Sequence, residues 1–220
     1  MKNSTPRFAS IFPAHPAAAA ILCYVTDRSA FSRKRFLHCV RAVLESGVEF
    51  VQIREKFTPT DELMDLCREV MQLPRQRLQK IILNDRLDIA LAFGLDGVHL
   101  GGNSFPVMEV RRNTPKTFII GVSTHHWKEA VMAEREGANY AFFGPIYPTP
   151  SKLRYGPPQG IEKLCEVVQM VSIPILAIGG ISLGNYRECL NAGAAGIAAI
   201  SLFQDSRKVK RVVEKIRTGK

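Results

Sequence analysis

The sequence predicts an α/β fold, a single (β/α)8 TIM barrel, on three observations. Eight short apolar runs alternate with eight amphipathic stretches along 220 residues, which suits the element count and length of a closed barrel. The runs are rich in Val, Ile, Leu and Phe with little polar alternation, as parallel strands buried on both faces read. Polar residues gather where the runs end, and the opposite ends are plain. A doubly wound open sheet is the rival. It carries a glycine fingerprint after its first strand, whereas this chain has Thr26-Asp27-Arg28 there.

The units follow in order. The run 21–25 leads to a helical stretch at 34–45, closed by Gly47. The run 50–53 leads to 61–72. The run 80–83 leads to 87–93, closed by Gly94. The run 97–100 leads to 106–112. The run 118–122 leads to 128–136, closed by Gly137. The run 140–143 leads to 161–171. The run 174–178 leads to 184–191, closed by Gly193. The run 196–200 leads to 207–217. A glycine just past a helix suits a left-handed cap. Residues 1–20 read as a loose N-terminal extension, broken by Pro13 and Pro16, and 21–220 as the TIM-barrel domain.

Composition narrows the function classes. Apolar residues make up 46% and charged residues 23%, ordinary for a globular chain with a sizeable core. The net charge of +10 points to anionic partners. Much of it lies in the run from Arg207 to Lys220, which reads as a solvated helix face. There is no arginine-rich arm, zinc spacing or RNA-binding aromatic motif, so no nucleic-acid partner is expected. No apolar run is long enough for a bilayer, so no membrane is expected either. The five cysteines are odd in number, widely spaced and free of CxxC pairs. They suit reduced core thiols in a cytoplasmic protein. A homo-oligomer is left open.

In this fold the active site lies in the loops after the strands. Gln52, Arg54 and Lys56 alternate and share one strand face; pointing inward, that face delivers an amide and two cations to one pocket. Glu55, between them, is the better candidate for solvent. Asn84-Asp85 caps the third strand; Asp85 could ligate Mg²⁺ or act as N-cap of the next helix. Ser123 precedes His125, which could move a proton near neutral pH or simply pack; His126 reads as a surface residue at a helix start. The segment from Gly144 to about Gly160 is long for its kind and holds Thr149, Ser151 and Lys152, three groups suited to phosphate oxygens. It reads as an ordered lid. Gly179-Gly180 and Ile200-Ser201 occupy the usual phosphate-cradling loops of such barrels.

Taken in register, these strand ends resemble the thiamine-phosphate synthase superfamily. The matching pieces are Tyr24-Val25-Thr26-Asp27, Gln52-Ile53-Arg54-Glu55-Lys56, Leu83-Asn84-Asp85-Arg86, Asp96-Gly97-Val98-His99-Leu100-Gly101, Gly121-Val122-Ser123-Thr124-His125, Gly144-Pro145-Ile146-Tyr147-Pro148-Thr149 and Ala177-Ile178-Gly179-Gly180-Ile181. The resemblance implies phosphorylated pyrimidine and thiazole substrates. Hydroxymethylpyrimidine diphosphate would be joined to a thiazole phosphate with release of pyrophosphate, and Mg²⁺ would be the cofactor. It further implies that Arg54, Lys56, Asn84, Ser123 and Lys152 hold the diphosphate and Gln52 meets the pyrimidine. Asp85 would bind Mg²⁺, and Gly180, Ile200 and Ser201, with Thr149 nearby, would hold the thiazole phosphate. One position departs from the pattern: Ser104 stands where the family has a second Mg²⁺-binding Asp. That loop is similar to the sister branch, the TenI-type thiazole tautomerases, which need no metal and use a histidine at the position of His125. A phosphate-binding regulator without catalysis is a third expectation.

Overall fold

Strands made of Val, Ile, Leu and Phe have no polar face to offer water, so both of their faces must be covered. The computed structural model describes residues 20–29, 31–149 and 157–219. It covers those strands by closing them into one parallel barrel, in chain order from first to eighth. The strands are β1 (Ile21–Val25), β2 (Phe50–Ile53), β3 (Lys80–Asn84), β4 (Gly97–Leu100), β5 (Ile119–Thr124), β6 (Tyr140–Phe143), β7 (Ile175–Ile178) and β8 (Gly196–Ala199). The helices between and after them are α1 (Arg33–Glu45), α2 (Thr60–Met71), α3 (Leu87–Ala92), α4 (Val107–Arg112), α5 (Trp127–Glu136), α6 (Gly160–Met170), α7 (Tyr186–Asn191) and α8 (Val209–Thr218). The expected (β/α)8 architecture is the observed one.

Three strands end at a different residue from the expected one, and β3 is the first: it runs on to Asn84, which pairs with His99. β5 runs on to Thr124 because Ser123 and Thr124 pair with Phe142 and Phe143, and the Thr124 hydroxyl donates to the Phe142 carbonyl at 2.8 Å. β8 stops at Ala199, so Ile200 and Ser201 belong to the loop that follows. Gly47, Gly94, Gly137 and Gly193 all take the positive φ expected of helix caps.

The core has two layers. Outward strand residues such as Leu22, Val51, Ile120 and Ala177 pack under the helices. Inward residues, among them Ile21, Cys23, Phe50, Ile82, Tyr140 and Leu176, fill the barrel itself. The filling is tight: a Cβ on Gly121 would lie 2.1 Å from the Tyr140 ring, so only glycine lets that ring cross the interior. At the N-terminal ends of the strands, the buried Glu49 carboxylate accepts the Leu22 N–H at 2.9 Å and pairs with Arg217 of α8. Cys23, Cys39, Cys67 and Cys189 are buried free thiols, and Cys165 is half-buried. Among the described residues no helix is long and apolar enough to cross a membrane.

Candidate active site

The C-terminal ends of the strands surround one cavity of ≈ 1040 Å³. One wall is built by β2 and its loop. Strand alternation turns Gln52 inward, where it is fully buried, and Arg54 and Lys56 follow on the same side of the cavity. Glu55 departs from its expected place in solvent. Its carboxylate is half-buried because the loop after β1 supplies two donors, the Thr26 hydroxyl at 2.6 Å and the Arg28 N–H at 3.1 Å. Burial raises the Glu55 pKa, opposed by those two hydrogen bonds and by the Arg28 charge. Thr26 also accepts the Arg54 N–H at 2.9 Å, so Glu55 anchors the segment that carries both cations.

A second wall is the pair of loops after β7 and β8. Gly179 and Gly180 take φ of 95° and 69°, conformations that side chains rarely adopt. A Cβ on Gly180 would also fall 2.7 Å from Tyr147 Cβ and 2.8 Å from the Pro148 carbonyl oxygen. Gly180, Ile200 and Ser201 line the cavity on this side, and Thr149 lines it at the root of the long loop after β6. That root is stitched to the glycine loop: the Ile146 and Tyr147 N–H groups donate to the Ile178 and Gly179 carbonyls at 2.9 and 3.1 Å. Ser151 and Lys152 lie outside the described residues.

Further polar groups complete the lining. Asn84, Ser123 and His125 all line the cavity. The His125 Nδ1 meets the Gly144 carbonyl. A carbonyl only accepts, so Nδ1 carries a proton. His126 caps α5, accepting the Lys128 N–H at 3.1 Å.

Asp85 sits behind this wall. The N-cap position of α3 is Arg86, with no side-chain capping bond, so the capping alternative does not apply. Asp85 instead takes a left-handed backbone, φ 62°, and its carboxylate faces Asn84, Gly101 and Ser104. Oδ2 accepts from the Asn84 amide at 2.6 Å. Oδ1 accepts from the Gly101 N–H at 3.2 Å and from the Ser104 hydroxyl. The Asn84 oxygen in turn accepts the Gln52 amide at 3.0 Å. The carboxylate thus fixes both amides, leaving Gln52 Oε1 as a buried acceptor with no protein partner among the described residues.

Two residues with no role assigned from sequence stand under the cavity floor. His99 of β4 is buried, with Nδ1 3.0 Å from the Tyr140 hydroxyl and Nε2 2.9 Å from Ser123 Oγ. Burial holds its pKa down at about 3, against a contribution from Asp85 that raises it and with one from Arg54 that lowers it. The sequence signal was a histidine on the inward phase of an apolar strand.

Residues 22–203 match the family model described as thiamine monophosphate synthase. The chain is 43% identical over 194 residues to thiamine-phosphate synthase of Chlorobium phaeovibrioides, covering 87% of this chain and 88% of that protein. It is 42% identical over 180 residues to thiamine-phosphate synthase of Methanospirillum hungatei, covering 82% and 87%. Among solved structures it is similar to thiamine phosphate pyrophosphorylase of Pyrococcus furiosus. The TM-score is 0.77 and the identity 34%, over 89% of this chain and 96% of that one.

Proposed function

We start from the premise that this chain belongs to the thiamine monophosphate synthase family, and we propose that it is a transferase joining hydroxymethylpyrimidine diphosphate to a thiazole phosphate. The observation that carries this reading is the single cavity with a cationic wall and a glycine wall. It offers two anion subsites in one cavity that neutral amides and hydroxyls also line.

In the reaction the pyrimidine's exocyclic C–O bond breaks, pyrophosphate takes the electron pair, and the thiazole nitrogen closes a C–N bond to the same carbon. The chain's task is to stabilise charge on the leaving group. Arg54 and Lys56 face it, with Ser123 and Asn84 beside it and Lys152 of the long loop as a third cation. Gln52 presents Oε1 to an N–H of the pyrimidine. Gly180, Ile200 and Ser201, with Thr149 and Ser151, take the thiazole phosphate. Free, mostly buried thiols suit a reducing compartment, so the reading assigns the enzyme to the cytoplasm.

The residues fit Mg²⁺ held by one carboxylate. Each carboxylate oxygen has about two acceptor sites; those of Asp85 Oδ1 are taken, and Oδ2 keeps one. Mg²⁺ is commonly held by one or two carboxylates with substrate phosphates and water. Bound there, it would neutralise charge on the diphosphate. No group of three or more His, Cys, Asp or Glu suited to a metal occurs among the described residues.

A second reading has its own observation. With Ser104 in the place of a carboxylate and the His125 ring lining the cavity, thiazole isomerisation without metal is chemically available. One experiment separates the two. Purified protein given both substrates and Mg²⁺ is expected to release pyrophosphate and form thiamine phosphate. Folded protein that releases none, but isomerises the thiazole carboxylate phosphate, would replace the synthase reading with the tautomerase one.

A further inference from the structure

We propose that Tyr140, His99 and Ser123 form a hydrogen-bond relay of fixed direction, which makes Ser123 a donor into the cavity and Tyr140 and His99 positioning residues for the leaving group. The effect on turnover rests on the functional reading above; the direction of the relay does not.

The direction follows from polar satisfaction. Tyr140 is 1% exposed, its ring stacked on Phe50 at 5.2 Å and wedged over Gly121. Its hydroxyl proton must go to an acceptor, because a hydrogen bond left unmade in the interior is costly. Among the described residues the partner recorded for that hydroxyl is His99 Nδ1, at 3.0 Å. If Nδ1 donated instead, the phenol proton would be stranded in an apolar layer between Phe50 and Phe142. Tyr140 is therefore the donor and Nδ1 the acceptor. A neutral imidazole then carries its one proton on Nε2, and Nε2 donates to Ser123 Oγ across 2.9 Å.

Ser123 is left with a single option. Its oxygen receives the His99 proton, so its own proton cannot point back and turns to the cavity that Ser123 lines. Arg54 and Lys56 line the same cavity. The ligand atom Ser123 selects is an acceptor, such as an anionic oxygen, and it disfavours an N–H or O–H. The polarity is also the reverse of a serine nucleophile's. There the imidazole accepts the hydroxyl proton; here it donates to the oxygen, so Ser123 binds and does not attack.

Two measurements test the relay. NMR of protein carrying isotope-labelled histidine reports which His99 nitrogen bears the proton; Nε2–H is expected, and Nδ1–H would overturn the relay whatever the protein catalyses. The second is a double-mutant cycle on pyrophosphate release. Tyr140→Phe keeps the ring, so the barrel filling survives, and it is expected to lower kcat about five- to tenfold, the size of one net hydrogen bond. KM for the thiazole phosphate should hold. In a Ser123→Ala background the same change should cost less than about twofold, since the interaction it works through is gone. Equal losses in both backgrounds would reduce Tyr140 to a structural residue and overturn its positioning role. If the wild-type protein releases no pyrophosphate, the functional reading fails and the labelled ring alone decides the relay.

Discussion

At the scale of single residues, this site is governed by what burial does to groups that also need partners. His99 shows it most clearly. In an unfolded chain its imidazole titrates near pH 6.5, and in the barrel burial holds it at about 3. The folded pKa lies below the unfolded one. Above about pH 6.5 both states are neutral and the ring contributes nothing to pH dependence. As pH falls further, only the unfolded chain gains the proton, and stability drops by up to about 1.4 kcal/mol per pH unit until about pH 3. Urea unfolding of metal-free protein between about pH 6.5 and 4.5 should therefore show a steeper loss in wild type than in His99→Asn. The difference should approach one proton, and identical slopes would mean that the ring titrates as if exposed. Glu55 illustrates the limit of period-two reading. Alternation turns it away from Arg54 and Lys56, but only the fold brings Thr26 and the Arg28 N–H within reach of its carboxylate.

Elements matter here through where they end. β2 ends so that Gln52 is buried while Arg54 and Lys56 stand at the rim. β8 ends one residue earlier than its composition suggests, which frees Ile200 and Ser201 to line the cavity. The far end of the barrel is held by α8, whose buried face of Val209, Val212, Val213 and Ile216 leaves its basic residues outside, as the charge pattern predicts. One of them does more than face solvent: Arg217 pairs with the buried Glu49 carboxylate where β1 begins. Removing a partner from a largely buried ion pair is costly, and Arg217 is itself partly exposed. Arg217→Ala is thus expected to destabilise the protein by about 1–3 kcal/mol, read by urea unfolding, with turnover unchanged at the opposite end of the barrel. A loss of turnover in the folded variant would contradict the separation of the two ends.

The whole molecule works by bringing sequence-distant cations and glycines to the rim of one ring of strands. Arg54 and Lys56 are far along the chain from Gly179, Gly180 and Ser201, yet they line the same cavity. If that cavity is an anion site, pyrophosphate at about a hundred times its Kd should add roughly 2.7 kcal/mol to stability. For a chain of this size that is a rise in Tm of about 5–10 °C, and no shift with saturating pyrophosphate would argue against the anion site. The sequence by itself determined the barrel, the order of its units, the glycine caps and many of the polar residues that line the cavity. Those follow from local hydrophobic period, from turn chemistry and from the rule that polar residues at strand ends gather on one rim. Only the tertiary structure decided the direction of the hydrogen bonds: the anchoring of Glu55 by Thr26, the retreat of Asp85 behind Asn84, and the chain from Tyr140 through His99 to Ser123. Such choices depend on which donor meets which acceptor across neighbouring strands, and strand register sets that meeting only once the barrel has closed.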